Sequence, residues 1–253
     1  MGLIWLALGF AGTALLYASV GFGGGSTYNA LLVLVGTDFA VVPVIALICN
    51  IVVVTGGSIA YWRAGSLPFK RLWPILILSA PCAWAGGRIP VDRDLFVLLL
   101  GVSLLIAGVL MLLQRQDDQR PEPQAETAQH GSAISWPIGM AVGFVSGMVG
   151  IGGGIFLAPV LHLLRWDLPR RIAASASLFI LVNSLAGLIG QLMKNGTAQS
   201  LAIAETHWPL ILAVLVGGQI GSRIGASILP QKWVRMATAI LILYVAARLL
   251  IQR

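Results

Sequence analysis

The sequence predicts an all-α, polytopic integral membrane protein made of two related units. Three observations predict this class: the composition, the spacing of the charges and an internal repeat. The 253 residues are 58% hydrophobic and 10% charged, and they include 30 glycines. A soluble domain is about 25% charged, and a disordered chain is more polar still. A water-soluble globule and a disordered chain are therefore both excluded.

The charged residues leave eight uncharged windows, four in each half of the chain. A membrane-spanning helix needs about 20 mostly apolar residues, and most of these windows are long enough to cross. Between the halves, Gln114–Ser132 is rich in Pro, Gln and acidic residues and predicts a flexible linker. The predicted units are 1–113 and 133–253. The windows are 1–37, 39–62, 72–87, 95–114, 127–164, 172–193, 206–222 and 236–247.

The two halves share a series of sequence landmarks. VGFGGG begins at Val20 and VGIGGG begins at Val149, so the motifs match at a constant spacing. Further matches follow in the same order, which single coincidences would not produce. The sequence therefore predicts two copies of one unit. The later pairs are Asn50 and Asn183, Gly56 and Gly187, Gly65 and Gly196, Trp73 and Trp208, and Gly86 and Gly221.

The basic residues predict that the second unit is inverted in the membrane. An even number of crossings per unit would divide Lys and Arg equally between the two sides, whereas an odd number places most of them on the linker side. Basic residues favour the cytoplasm, so we expect a cytoplasmic linker and extracytoplasmic termini. The odd count comes from the first window of each unit. That window forms either a re-entrant hairpin or two tilted crossings, and both stay open.

Two runs of three glycines are expected to break helices at membrane depth. Broken backbone is tolerated there only where protein or a water-filled cavity satisfies its polar groups. The helix that resumes presents free N–H groups and a positive dipole end, which bind anions. Close helix packing is the alternative use of small residues. The matched positions favour a substrate-lining role for Gly23, Gly24 and Gly25 and for Gly152, Gly153 and Gly154, with Ser26 as an added donor.

Further polar residues inside the apolar windows are candidates for the same site. Asn50, Asn183 and Ser184 are expected either to bind substrate or to form hydrogen bonds between helices. Arg88 and Arg223 end corresponding helices. They serve either as interface anchors or as mouth residues that attract an anion.

Several kinds of chemistry find no support in the sequence. It contains no GxxxxGK[ST] motif for ATP, and no deep window contains Asp or Glu for a proton relay. Cys49 and Cys82 lack metal-type spacing. We therefore expect no catalytic residue, no metal and no cofactor, and the chain is not expected to be an enzyme. The expected partners are a small anion and the lipid bilayer, without nucleic acid, and a homo-oligomer is left open.

The paired GFGGG and GIGGG motifs are followed by the apolar segments TYNALLVLVG and IFLAPVLHLL in a duplicated chain. This arrangement resembles the TauE/SafE family of membrane permeases, often described as sulfite exporters. The resemblance implies a bacterial inner-membrane transporter for small sulfur-containing or organic anions, such as sulfite, sulfoacetate or related sulfonates. It also implies that Gly21 to Gly25 and Gly150 to Gly154 line the pore. A membrane-embedded sulfur carrier or enzyme and a non-transporting subunit of a membrane complex are the alternatives.

Overall fold

The structure, a computed structural model, describes residues 3–19, 21–113, 125–164, 166–196, 206–227 and 231–251. These residues form ten helices and no strand, so the predicted all-α class is confirmed. The first part of the predicted linker, 114–124, lies outside the described residues. The helices are α1 (Leu3–Ser19), α2 (Gly25–Leu34), α3 (Val42–Arg63), α4 (Phe69–Arg88), α5 (Arg93–Leu113), α6 (Ala125–Val149), α7 (Gly154–Leu163), α8 (Pro169–Asn195), α9 (Trp208–Ser227) and α10 (Gln231–Ile251).

The outer surface of the bundle is strongly apolar. Ile4, Trp5 and Ile251 are 75%, 69% and 83% exposed, and many other large apolar side chains share this surface. Soluble monomers rarely expose such contiguous apolar area. Within the described residues, α3, α5 and α8 are each long and apolar enough to cross a membrane. The surface and the helix lengths are those of a protein embedded in a bilayer.

The chain reverses direction between α1 and α2. At the end of α1, the Gly21 N–H donates to the Ala18 carbonyl at 3.2 Å and the Phe22 N–H donates to the Tyr17 carbonyl at 2.8 Å. This is a Schellman ending, and it requires the positive φ of +84° that Gly21 adopts. The Phe10 and Tyr28 rings then stack with centroids 4.7 Å apart. The pair is therefore an antiparallel hairpin, whose ten-residue α2 covers only about 15 Å.

The end of α6 repeats this geometry. The Ile151 N–H donates to the Ser146 carbonyl at 3.2 Å, and Gly150 has a φ of +80°. The chain then turns through Gly152 and Gly153 and enters α7 at Gly154. Both glycine motifs thus occupy the turn between a first helix and a short second helix.

The third and fifth helices of the two predicted units pair in opposite directions. Ser58 on α3 lies 3.0 Å from Ser177 on α8, between the two hydroxyl oxygens. Leu47 precedes Ser58 on α3, but it contacts Gly187, which follows Ser177 on α8. The two helices therefore run antiparallel. The fifth helices α5 and α10 do the same, because Gly101 meets Leu250 whereas Gly108 meets Leu243.

Each unit packs its first helix along the fourth helix of the other unit, and these pairs run parallel. On α6, Gly139, Gly143 and Gly147 follow one another along α4. A Cβ atom on Gly143 or Gly147 would collide with the α4 backbone carbonyls of Ser79 and Ala83. Small residues at this spacing let helix backbones approach closely in a membrane, where van der Waals packing favours association. The two units are consequently interlocked rather than placed side by side.

We expect Gly147→Ala to destabilise the protein. The added methyl group has no space against the Ala83 carbonyl, so the two helices must separate, which costs about 1–3 kcal/mol. Gly12→Ala is the matched control, because a Cβ on Gly12 meets nothing within 4 Å and alanine favours a helix. The thermal midpoint in detergent should fall for Gly147→Ala and stay or rise for Gly12→Ala. Equal midpoints would contradict the close approach of α4 and α6.

Candidate functional site

The two glycine motifs meet at one buried side chain, Asn50 of α3. Its Nδ2 donates to the Ile151 carbonyl of the second motif at 3.0 Å. Its carboxamide also lies so close to the first motif that a Cβ on Gly23 or Gly25 would collide with it. A Cβ on Gly152 would lie 2.8 Å from the same Nδ2. The glycines at these positions are therefore required by the close approach of Asn50.

The helices that follow the motifs begin without a side-chain cap. Gly24 precedes α2 with a φ of 86°, and Gly153 precedes α7 with a φ of 80°. Among the described residues, the N–H groups of Gly25 and Ser26 find no acceptor, and the same holds for Gly154 and Ile155. An uncapped start carries about half a positive charge, and its N–H groups are available to an anion.

Several buried polar atoms around the motifs have no hydrogen-bond partner in the described part of the chain. They include Asn50 Oδ1, Ser146 Oγ and Ser184 Oγ, together with the Tyr28 hydroxyl. Ser184 Oγ lies 3.0 Å from the Cβ position of Gly152. Leaving one such group unsatisfied costs about 1–3 kcal/mol, so most buried polar groups in proteins are paired. A cluster of unpaired groups beside two uncapped helix starts is typical of a site that binds a polar ligand.

A second amide from the first unit supports the turn of the second unit. Asn29 of α2 is fully buried, and its Nδ2 donates to the Val149 carbonyl at 2.6 Å. Together with Asn50, it satisfies two carbonyls at the end of α6. The second unit has Ala158 and Ile180 at the corresponding places, so the two turns are supported differently.

The structure does not support the pairing of Asn50 with Asn183. Asn183 Nδ2 donates to Ser79 Oγ at 3.1 Å and to the Phe179 carbonyl at 2.9 Å, which directs this amide toward α4. In the first unit Asn50 lies against Gly25. In the second unit Ile180 lies against Gly154 in the same way. The sequence pairing was wrong by almost one helical turn, since it let the repeat spacing drift. Keeping the spacing of the motifs, from Val20 to Val149, would have pointed to Phe179, the residue next to Ile180.

The remaining predicted binding residues lie around the turns and face different neighbours. Ser26 Oγ lies 3.4 Å from the Tyr17 hydroxyl, which also bonds Thr27 at 2.8 Å. A Cβ on Gly24 would lie 2.9 Å from the Tyr28 hydroxyl, and one on Gly153 would lie 2.8 Å from the Phe179 ring. The structure therefore brings Gly23, Gly25, Asn50, Gly152 and Ser184 together, whereas Gly24, Ser26 and Gly153 face the helices behind the turns.

The two predicted mouth arginines lie at the surface. Arg88 is exposed at the end of α4, with its guanidinium carbon 5.0 Å from the Trp84 ring centroid. Arg223 is exposed on α9. Cys49 is buried and Cys82 is partly buried, and the described residues contain no group of three or more His, Cys, Asp and Glu that would hold a metal.

Comparisons with known proteins found a matching family profile and several similar proteins. A family profile described as Sulfite exporter TauE/SafE matches residues 5–249. The probable membrane transporter protein y4hK of Sinorhizobium fredii is 32% identical over 98% of this chain and 98% of its own length. The probable membrane transporter protein YunE of Bacillus subtilis is 24% identical over 91% of each chain. No solved structure gives a significant match.

The family and the names of these relatives indicate a membrane transporter rather than an enzyme. The family match covers both units and both glycine motifs. The chain belongs to the Sulfite exporter TauE/SafE family.

Proposed function

We propose that the chain is a secondary transporter that exports small sulfur-containing or organic anions across the bacterial inner membrane. Sulfite, sulfoacetate and related sulfonates are the proposed substrates. One observation carries the proposal: Asn50 contacts both glycine motifs, so the uncapped starts of α2 and α7 lie close to one buried polar cluster. The family supports transport, and the geometry supports an anion as the cargo.

In this site, backbone N–H groups hold the anion. The free N–H groups at Gly25 and Ser26, and at Gly154 and Ile155, donate to the oxyanion, with Ser184 as a side-chain donor. Helix starts bind anions without a charged side chain. The anion therefore leaves the site without separating from a buried countercharge. A transport cycle requires this release at each turnover.

The proposed topology is a pair of inverted repeats that alternate access to the site. The antiparallel pairing of α3 with α8 and of α5 with α10 supports inversion, because corresponding helices of parallel repeats would point the same way. Arg71 after the α3–α4 loop lies 3.3 Å from Asp167 in the α7–α8 loop, so both loops share one face. We assign this face and the linker to the cytoplasm, and both termini to the other side.

Export in this scheme needs no ATP. An inside-negative potential contributes about 2.3 kcal/mol per charge per 100 mV toward moving an anion outward.

We expect Gly24→Leu combined with Gly153→Leu to abolish sulfite or sulfonate flux into liposomes. Both glycines have a positive φ, and both face side chains that leave no space for a larger residue, so the substitutions displace the starts of α2 and α7. The measurement is the flux per folded protein relative to empty vesicles. Undiminished flux would show that these turns do not carry the anion.

Gly36→Leu and Gly65→Leu together are the matched control for this variant. Both positions have a positive φ, and a Cβ there meets nothing within 4 Å. They therefore impose a similar backbone strain, about 1–2 kcal/mol each, away from the motifs. Flux should persist in this control. It should also persist after Cys49→Ser with Cys82→Ser, whereas a thiol-based sulfur carrier would stop.

Asn50→Ala and Asn183→Ala are expected to act differently, although both remove a buried amide. Asn50→Ala frees the Ile151 carbonyl and loosens both motifs, so we expect flux per folded protein to fall at least about tenfold, equivalent to about 1.4 kcal/mol. Asn183→Ala breaks a contact with α4 and should mainly lower the thermal midpoint. Equal losses of flux in the two variants would contradict the placement of Asn183 outside the site.

Reporter fusions test the orientation. An enzyme that is active only outside the cytoplasm should be active when fused to either terminus, and a reporter active only inside should be active within the linker, 114–132. A cytoplasmic signal from either terminus would overturn this orientation.

A further inference from the structure

A nearly buried carboxylate lies between two arginines on the face of the α3–α4 and α7–α8 loops. The Asp167 side chain is 3% exposed. Its oxygens lie 3.3 Å from Arg71 Nη1 and 3.6 Å from Arg171 Nη1, and the Leu168 N–H donates to it at 2.7 Å. Three donors thus surround one carboxylate, as they would surround a bound oxyanion.

This cluster joins the two units. Arg71 belongs to α4 of the first unit, whereas Asp167 and Arg171 belong to the second. The Arg71 guanidinium also lies over the fully buried Trp166 ring, 4.6 Å from its centroid. The indole Nε1 of Trp166 is buried and has no acceptor. This buried donor beside the Arg71 guanidinium, without an acceptor among the described residues, leaves the cluster with unused capacity for an anion.

The cluster lies close to the first glycine motif. Arg171 is two residues before Ala173 on α8, about 3 Å along the helix axis. A Cβ on Gly21 would lie 3.5 Å from the Ala173 carbonyl and 3.3 Å from the Tyr61 hydroxyl. The backbone that carries Arg171 is therefore close to the start of the motif, and the guanidinium groups lie on the side of it toward the α7–α8 loop.

The corresponding loop of the first unit lacks this arrangement. Both loops turn alike, because the Thr37 N–H donates to the Leu32 carbonyl and the Trp166 N–H to the Leu161 carbonyl, each at 3.0 Å. Asp38 occupies the place of Asp167, but it is exposed and accepts from the Ala40 N–H at 3.0 Å within its own loop. The tie through Asp167 is thus a feature of one face.

We propose that Arg71 and Arg171 form a mouth site for small oxyanions and that Asp167 occupies it as a tethered carboxylate. An arriving anion displaces the Asp167 carboxylate from Arg71. This breaks the ionic contact between the two units on this face. Sulfite, sulfonates and carboxylates all offer oxygens to a guanidinium, so the exchange replaces one anion by another with little electrostatic cost. The inference rests on the proposed function, because it assigns the first contact of the same cargo.

The test is the KM for sulfite flux in liposomes. The direction in which a substitution changes this KM decides whether the site exists. Asp167→Asn keeps the shape and the acceptor for Leu168 but removes the competing charge, so KM should fall about fivefold. Arg71→Gln should raise KM about tenfold. Asp38→Asn is the matched control and should leave KM unchanged. A KM that rises or stays constant in Asp167→Asn would overturn the proposal. A carboxylate with only a structural role does not compete with sulfite, so its loss weakens the protein without lowering KM.

Thiol labelling gives a second measurement that does not depend on flux. Ala173→Cys is introduced into the chain carrying Cys49→Ser and Cys82→Ser and is treated with a charged methanethiosulfonate reagent. Asp167→Asn and saturating sulfoacetate should each speed labelling several-fold, whereas Asp38→Asn should not. Equal rates in all samples would refute release of this face. If the wild-type protein shows no anion flux, the proposed function is refuted. If flux is normal but Asp167→Asn changes neither KM nor the labelling rate, this inference alone is refuted.

Discussion

The structure depends on the need to satisfy backbone polar groups where water is absent. Each glycine motif lies between two helices inside the bundle. The end of the first helix leaves carbonyl groups without helical partners, and the start of the next helix leaves N–H groups without them. The carbonyls of Val149 and Ile151 are satisfied by Asn29 and Asn50. The N–H groups at the starts of α2 and α7 have no acceptor among the residues that the structure describes. This division, with carbonyls paired and N–H groups free, is the basis on which we propose an anion as the cargo.

The sequence was sufficient for features that depend on local composition. The all-α class, the membrane character and the family follow from apolar windows and from two glycine motifs, and each is confirmed. The pairing of Asn50 with Asn183 failed because a spacing error of three residues moves a side chain about 4.5 Å along the helix axis, to another neighbour. The contact between Arg71 and Asp167 depends on how two distant loops pack, which no local pattern encodes.

The two units contribute unequally to the site. Buried amides of the first unit hold the turn of the second, while Ala158 and Ile180 leave the turn of the first without the same support. The ionic cluster at Asp167 adds a second difference on one face. A transporter with unequal halves presents different surfaces to its cargo from the two sides. In the proposed transporter, direction and selectivity would therefore depend on the difference between the units as well as on the repeat they share.

The interlocked packing of the units also constrains how the protein is made. The partner of α1 is α9, so a helix completed at Ser19 lies against a helix that begins at Trp208. Ribosomes add about 5–20 residues per second, so α1 waits about 10–40 s for its partner. During that interval, the small residues on α1 face lipid or a chaperone. Biogenesis of this chain therefore proceeds through a half-protein whose packing surfaces stay open until nearly all of it is synthesised.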